Sequence, residues 1–167
     1  GKDWSSEWCY KIIDNDKYKY SENKDKELCV ETVSIMGANY AMSVEWWNKI
    51  QGLNGLYAWG HDEPLLSLKT YLLGGKCVCF KNYAIGHLYR TKPSYGSLSA
   101  ITTELNILFI QYLMSHDDDK SKEELMFNEY VERMFKCMGE EYGKMVMEDF
   151  NSHKKEYDEI KQWLWQK

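Results

Sequence analysis

Asp62 and Glu63 stand side by side in the stretch WGHDEPLLSLKTYLLGGKCVCFKNYAIGHLYR, residues 59–90, and His87 closes it. Two carboxylates at a helix start, with an imidazole brought back one strand later, suit acid/base or metal chemistry. The elements that must position them are readable. Pro64 fits a first helical turn, where its missing N–H leaves no bond unmade. Leu65, Leu68 and Leu72 recur at helical spacing, and Gly74 with Gly75 marks a C-terminal stop. Cys77 to Phe80 reads as a buried strand, after which the chain reaches Gly86 and His87. Each residue also has a plainer reading. Acids at a helix start stabilise it by a few tenths to about 1 kcal/mol through the macrodipole alone, and a lone histidine is commonly a satisfied core or turn residue.

At 167 residues the chain reads as one domain or a large piece of one. Its 44% hydrophobic residues suffice for a core, and 15% aromatics suit either a bulky interior or a sugar- or base-lining surface. The net charge of −5, with no Lys/Arg-rich stripe, argues against a nucleic-acid partner. Cys9, Cys29, Cys77, Cys79 and Cys137 are odd in number and contain no CxxC pair. That disfavours a disulfide scaffold and a zinc ribbon and points to a reducing, cytoplasmic compartment. No apolar run is long enough for a transmembrane segment, and no signal peptide is evident.

Residues 1–27 are polar and broken; Asp14, Asn15 and Asp16 form a DxD that reads as a solvated turn. Residues 28–42 are rich in β-formers and read as one strand or two, with Gly37 at a bend. Ser43 is a good N-cap for a short helix ended by Gly52. From Leu98 the chain turns helical, with Ile101, Leu105, Leu108, Phe109 and Tyr112 on one face. Asp117, Asp118 and Asp119 read as a solvated connection. Helices follow over 123–138 and 140–165, separated at Gly139, with His153 exposed on the last. The expected class is α/β: a mixed sheet with helices over 1–97, then a helical extension over 98–167.

Read together, Met36-Gly37-Ala38-Asn39-Tyr40-Ala41-Met42, the turn and helix WGHDEPLLSLKTYLLGG, and GHLYR resemble the C-terminal half of a GT-A-fold glycosyltransferase domain. The nearest patterns are the polypeptide N-acetylgalactosaminyltransferases and family-2-like enzymes. The likeness spans about residues 33–92 and, more weakly, the following helix with Asn106. It implies a partial GT-A-like sheet and transfer from a nucleotide-diphosphate sugar to a hydroxyl acceptor (a glycan, lipid or protein) with Mn2+ or Mg2+. On this resemblance His87 matches a metal ligand. Glu63 and Asp62 match the catalytic carboxylate positions. Trp59 and Gly60 match the turn that closes over the substrates, Gly37, Ala38 and Asn39 the strand end beside the donor sugar, and Arg90 a basic residue near the phosphates.

The chain departs from the pattern at His61, which stands for a second glycine, and at Asp62-Glu63, which fits neither the Glu-Asn nor the Glu-Asp version. Retaining against inverting chemistry therefore stays open. The family's nucleotide-binding half, with its strand-ending DxD, is expected upstream of Gly1, so the chain reads as a fragment that alone lacks most of the donor site. Two rival expectations stand beside this one. One is a non-catalytic glycan- or protein-binding module. The other is a helical interaction protein that forms a homo-oligomer through its C-terminal helices.

Overall fold

The structure, a computed structural model, describes residues 29–35, 39–57, 59–80, 100–116 and 118–166. Alternating side chains make two short strands. β1 (Cys29–Thr32) pairs antiparallel with β2 (Cys77–Phe80), with Val30 opposite Cys79 and Thr32 opposite Cys77. These four residues share a half-buried face, while Cys29, Glu31, Val78 and Phe80 point outward and are exposed. The strand expected to be buried at Cys77–Phe80 is thus covered on one face only. Of the one strand or two expected over 28–42, the described residues show β1 alone.

Ser43 caps α1 (Val44–Lys49), its hydroxyl accepting the Trp46 N–H at 3.1 Å. The Trp46 indole N–H then reaches the Thr70 hydroxyl at 3.1 Å and joins α1 to α2 (Asp62–Leu72). α2 ends in a Schellman motif. The Gly75 N–H bonds the Thr70 carbonyl at 2.8 Å, and the Gly74 N–H bonds that of Tyr71 at 3.0 Å. Gly74 supplies the left-handed φ of +78° that this motif requires.

Four more helices complete the described chain: α3 (Ala100–Met114), α4 (Lys120–Met138), α5 (Glu140–Ser152) and α6 (Lys154–Trp165). Asp119 caps α4 by accepting the Ser121 N–H at 3.0 Å. Gly139, at φ +87°, separates α4 from α5. The single helix expected over 140–165 is interrupted at His153. There the Ser152 hydroxyl binds the Asp149 carbonyl at 2.7 Å, and the His153 N–H is shared between the Asp149 and Phe150 carbonyls. Such local bonding competes with the regular helical ladder.

The described fold is therefore mixed, mostly helical, with one two-stranded sheet among the described residues. One core runs through it: Leu65 and Leu72 of α2, Leu105, Leu108, Phe109 and Leu113 of α3, Met134 of α4, Val146 and Phe150 of α5, and Tyr157, Ile160 and Leu164 of α6. Burial of each large apolar side chain stabilises by about 1.5–3 kcal/mol relative to exposure. The helix that carries the carboxylate pair is thus set into the same core as the C-terminal helices. Among the described residues no helix is long and apolar enough to cross a membrane.

Candidate functional site

The carboxylate pair begins with a tight turn. Gly60 has φ +106° and His61 φ +67°, two successive left-handed residues that swing the chain into α2. The second is unusual for a side chain with a Cβ and marks stored strain. Asp62 and Glu63 occupy the first turn of α2, both half-buried. The free N–H groups of a helix start favour negative charge there.

Three contacts fix the pair. The Tyr40 hydroxyl donates to Asp62 Oδ2 at 3.0 Å. The Ser67 hydroxyl, one turn on, donates to the Glu63 carbonyl at 2.6 Å and accepts the Ile35 N–H at 3.0 Å, tying the segment after β1 to α2. Below the turn, the buried Asn106 of α3 bonds the backbone of Tyr57 and Gly60.

The two acids have different surroundings. Burial raises the Glu63 carboxyl above the usual carboxylate range, and hydrogen bonding and charge from neighbouring Asp62 raise it further. Tyr40 is pushed up to about 12 by burial and then by its bond to Asp62, so it remains a proton donor at neutral pH. A carboxyl whose surroundings raise its proton affinity is a candidate for acid/base chemistry.

Of the residues expected at the site, Trp59, Gly60, Asp62 and Glu63 are described and lie side by side in the chain. Trp59 is 55% exposed, immediately ahead of the pair. Asn39 is exposed, next to Tyr40. Gly37, Ala38, His87 and Arg90 lie outside the described residues. Among the described residues no three His, Cys, Asp or Glu side chains are grouped to hold a metal ion.

Other residues around the site are less evident in the sequence. Tyr40 lies in a motif without a role of its own. Asn106 has one signal: a carboxamide on the apolar face that carries Leu105, Leu108 and Phe109. His153 is half-buried rather than exposed as expected. Its ring lies against Tyr57, tilted by 31° with centroids 3.9 Å apart, and the Tyr57 hydroxyl bonds Glu156 at 2.5 Å. The interrupted helix thereby abuts the residue that leads into the turn.

The chain matches no protein-family profile, no curated protein and no solved structure.

Proposed function

We propose that this chain is the acceptor-side part of a GT-A-like, metal-assisted glycosyltransferase that uses a nucleotide-diphosphate sugar. One observation carries the reading: Asp62 and Glu63 stand together at a helix start behind a strained turn, and Glu63 has a raised proton affinity beside a Tyr40-bonded Asp62. A general base works best when its pKa lies near the operating pH. Glu63, raised by burial and further by Asp62, is the candidate base.

In the transfer, the acceptor hydroxyl oxygen bonds to the anomeric carbon as its proton passes to the Glu63 carboxylate. The bond from that carbon to the diphosphate oxygen breaks, and its electron pair leaves with the nucleotide. A single displacement of this kind inverts the anomeric centre. Trp59, 55% exposed and just ahead of the acids in the chain, is of a residue type suited to the flat side of a sugar ring. On the resemblance, His87 would help hold Mn2+ or Mg2+ and Arg90 would serve the phosphates; the cation would supply charge neutralisation to the leaving group.

The test is nucleotide release and sugar transfer by the whole protein, using a panel of nucleotide-diphosphate sugars with Mn2+ or Mg2+. Turnover that needs the cation and is lost in Glu63→Gln supports the reading. Lost turnover or a raised Mn2+ requirement in His87→Ala supports the metal assignment, and turnover with unchanged Mn2+ dependence contradicts it. Saturable glycan binding with no turnover on any donor would instead favour a binding module.

A further inference from the structure

Asn106 is 0% exposed, on the core face of α3. Its carboxamide makes three hydrogen bonds to one short segment of another part of the chain. Oδ1 accepts the Tyr57 N–H at 3.0 Å, and Nδ2 donates to the carbonyls of Tyr57 and Gly60, each at 3.0 Å. One acceptor meets an N–H and one NH2 group meets two carbonyls, so the reverse orientation would set like against like at every contact. The Tyr57 backbone is gripped on both of its polar groups, as a neighbouring strand would grip it.

The gripped segment is the strained one. Gly60 and His61 are the two left-handed residues of the turn, and Asp62 follows directly. Such conformations persist where surrounding contacts over-determine them. The Gly60 carbonyl is held from below by Asn106, while Tyr40 and Ser67 hold the start of α2 from the other side.

We propose that Asn106 is the positioning residue of the candidate site: by clasping Tyr57 and Gly60 it fixes the left-handed turn that sets where Asp62 and Glu63 stand. Its effect on rate rests on the glycosyltransferase reading; its effect on the turn does not. A purely structural asparagine would change the stability of α3 and leave the carboxylates as they are. A positioning residue changes the surroundings of Glu63 in a protein that is still folded.

The experiment compares the whole wild-type protein with Asn106→Ala and Gly60→Ala. A Cβ added at Gly60 meets nothing within 4 Å, so Gly60→Ala disturbs the turn through its φ of +106° and spares the core. Two quantities are read without activity: hydrogen exchange at the Tyr57 amide and the Glu63 carboxyl titration by NMR, assigned with Glu63→Gln. In Asn106→Ala, Tyr57 protection is expected to fall, Leu164 protection on α6 to remain, and the Glu63 titration to move down towards the ordinary carboxyl range. Gly60→Ala is expected to move the Glu63 titration the same way, and it carries the test if Asn106→Ala does not fold. Once a sugar-transfer assay exists, kcat is expected to fall about 100-fold with little change in donor KM, as for a misplaced catalytic group. An unchanged Glu63 titration in either folded variant would overturn the proposal. Lack of transfer by the wild-type protein would count against the glycosyltransferase reading alone, because the two NMR measurements still decide the positioning role.

Discussion

The Tyr40 hydroxyl donates to Asp62 across 3.0 Å and so anchors the start of α2 to the segment that follows β1. A second tie runs in parallel from Ser67 to Ile35. Between them they place Asp62 and Glu63 relative to the small sheet. Asn106 fixes the other side of the turn, to α3. The acids therefore sit where three separate parts of the chain meet, and the behaviour of Glu63 depends on all of them.

Asp62→Asn separates the roles of the two acids. Asp62 raises the Glu63 carboxyl through a hydrogen bond and through its charge. Replacing it with a neutral amide is expected to lower the Glu63 pKa, so the Glu63 carboxylate stays ionised to lower pH. The acid limb of kcat/KM is expected to move to lower pH, with reduced but measurable activity, whereas Glu63→Gln abolishes transfer. An acid limb that stayed in place in Asp62→Asn would assign the titration elsewhere.

Lys69 gives a distinct pH signature in stability. It is fully buried, and its ammonium donates to the carbonyls of Gly52 at 3.0 Å and Asn54 at 2.9 Å. Among the described residues no carboxylate pairs with it. Burial lowers its pKa from 10.5 to about 8. Between these values the unfolded chain binds more protons than the folded one, so the Lys69 contribution to stability rises with pH from about 8 upward and is lost as pH falls through 8. Denaturant titrations at pH 7 to 10 are expected to show a wild-type slope steeper than that of Lys69→Met, by up to about 1.4 kcal/mol per pH unit. Parallel slopes would contradict the burial of this charge.

Tyr157 carries a polar atom that the core does not use. Its ring is fully buried and stacks on Phe109 with centroids 4.3 Å apart, yet its hydroxyl has no hydrogen-bond partner among the described residues. An unpaired buried hydroxyl costs about 1–3 kcal/mol. Tyr157→Phe is therefore expected to raise the thermal midpoint, with a gain of about 1 kcal/mol. A clear loss of stability would reveal a partner for that hydroxyl.

The contact between Trp46 and Gly75 is tested by Gly75→Ala. The added methyl would lie 2.3 Å from Trp46 Cζ2 and 2.8 Å from Thr70 Cγ2, displacing the indole from its bond to the Thr70 hydroxyl. Overpacking of this kind costs about 1–3 kcal/mol. Gly74→Ala meets no atom within 4 Å and is strained only by its φ of +78°, so its cost is expected near 1 kcal/mol. Calorimetry on the two variants should give that order, accompanied by a change in tryptophan emission in Gly75→Ala.

What was legible in the sequence was local. Ser43 as a cap, Gly74 with Gly75 as a stop, Gly139 as a break, and acids at a helix start all follow from bonding within a few residues, and each is present. The pairing of β1 with β2 joins segments far apart in the chain, and no short pattern encodes its register. The break at His153 has neither glycine nor proline to announce it; it arises from side-chain bonding at Ser152. Lys69 falls on the buried side of α2, and only tertiary packing shows that two loop carbonyls await its ammonium. The acid pair at the candidate site was visible as a motif, whereas the clasp of Asn106 on Tyr57 and Gly60 becomes visible only once α3 is packed beneath the turn.

The most direct measurement is sugar transfer by the whole protein with Mn2+ and a panel of nucleotide-diphosphate sugars, wild type against Glu63→Gln. Cation-dependent release of the nucleotide and an inverted product linkage are expected, with both lost in Glu63→Gln although that variant folds normally. Transfer that persists at the wild-type rate in Glu63→Gln would contradict the assignment of Glu63 as the base.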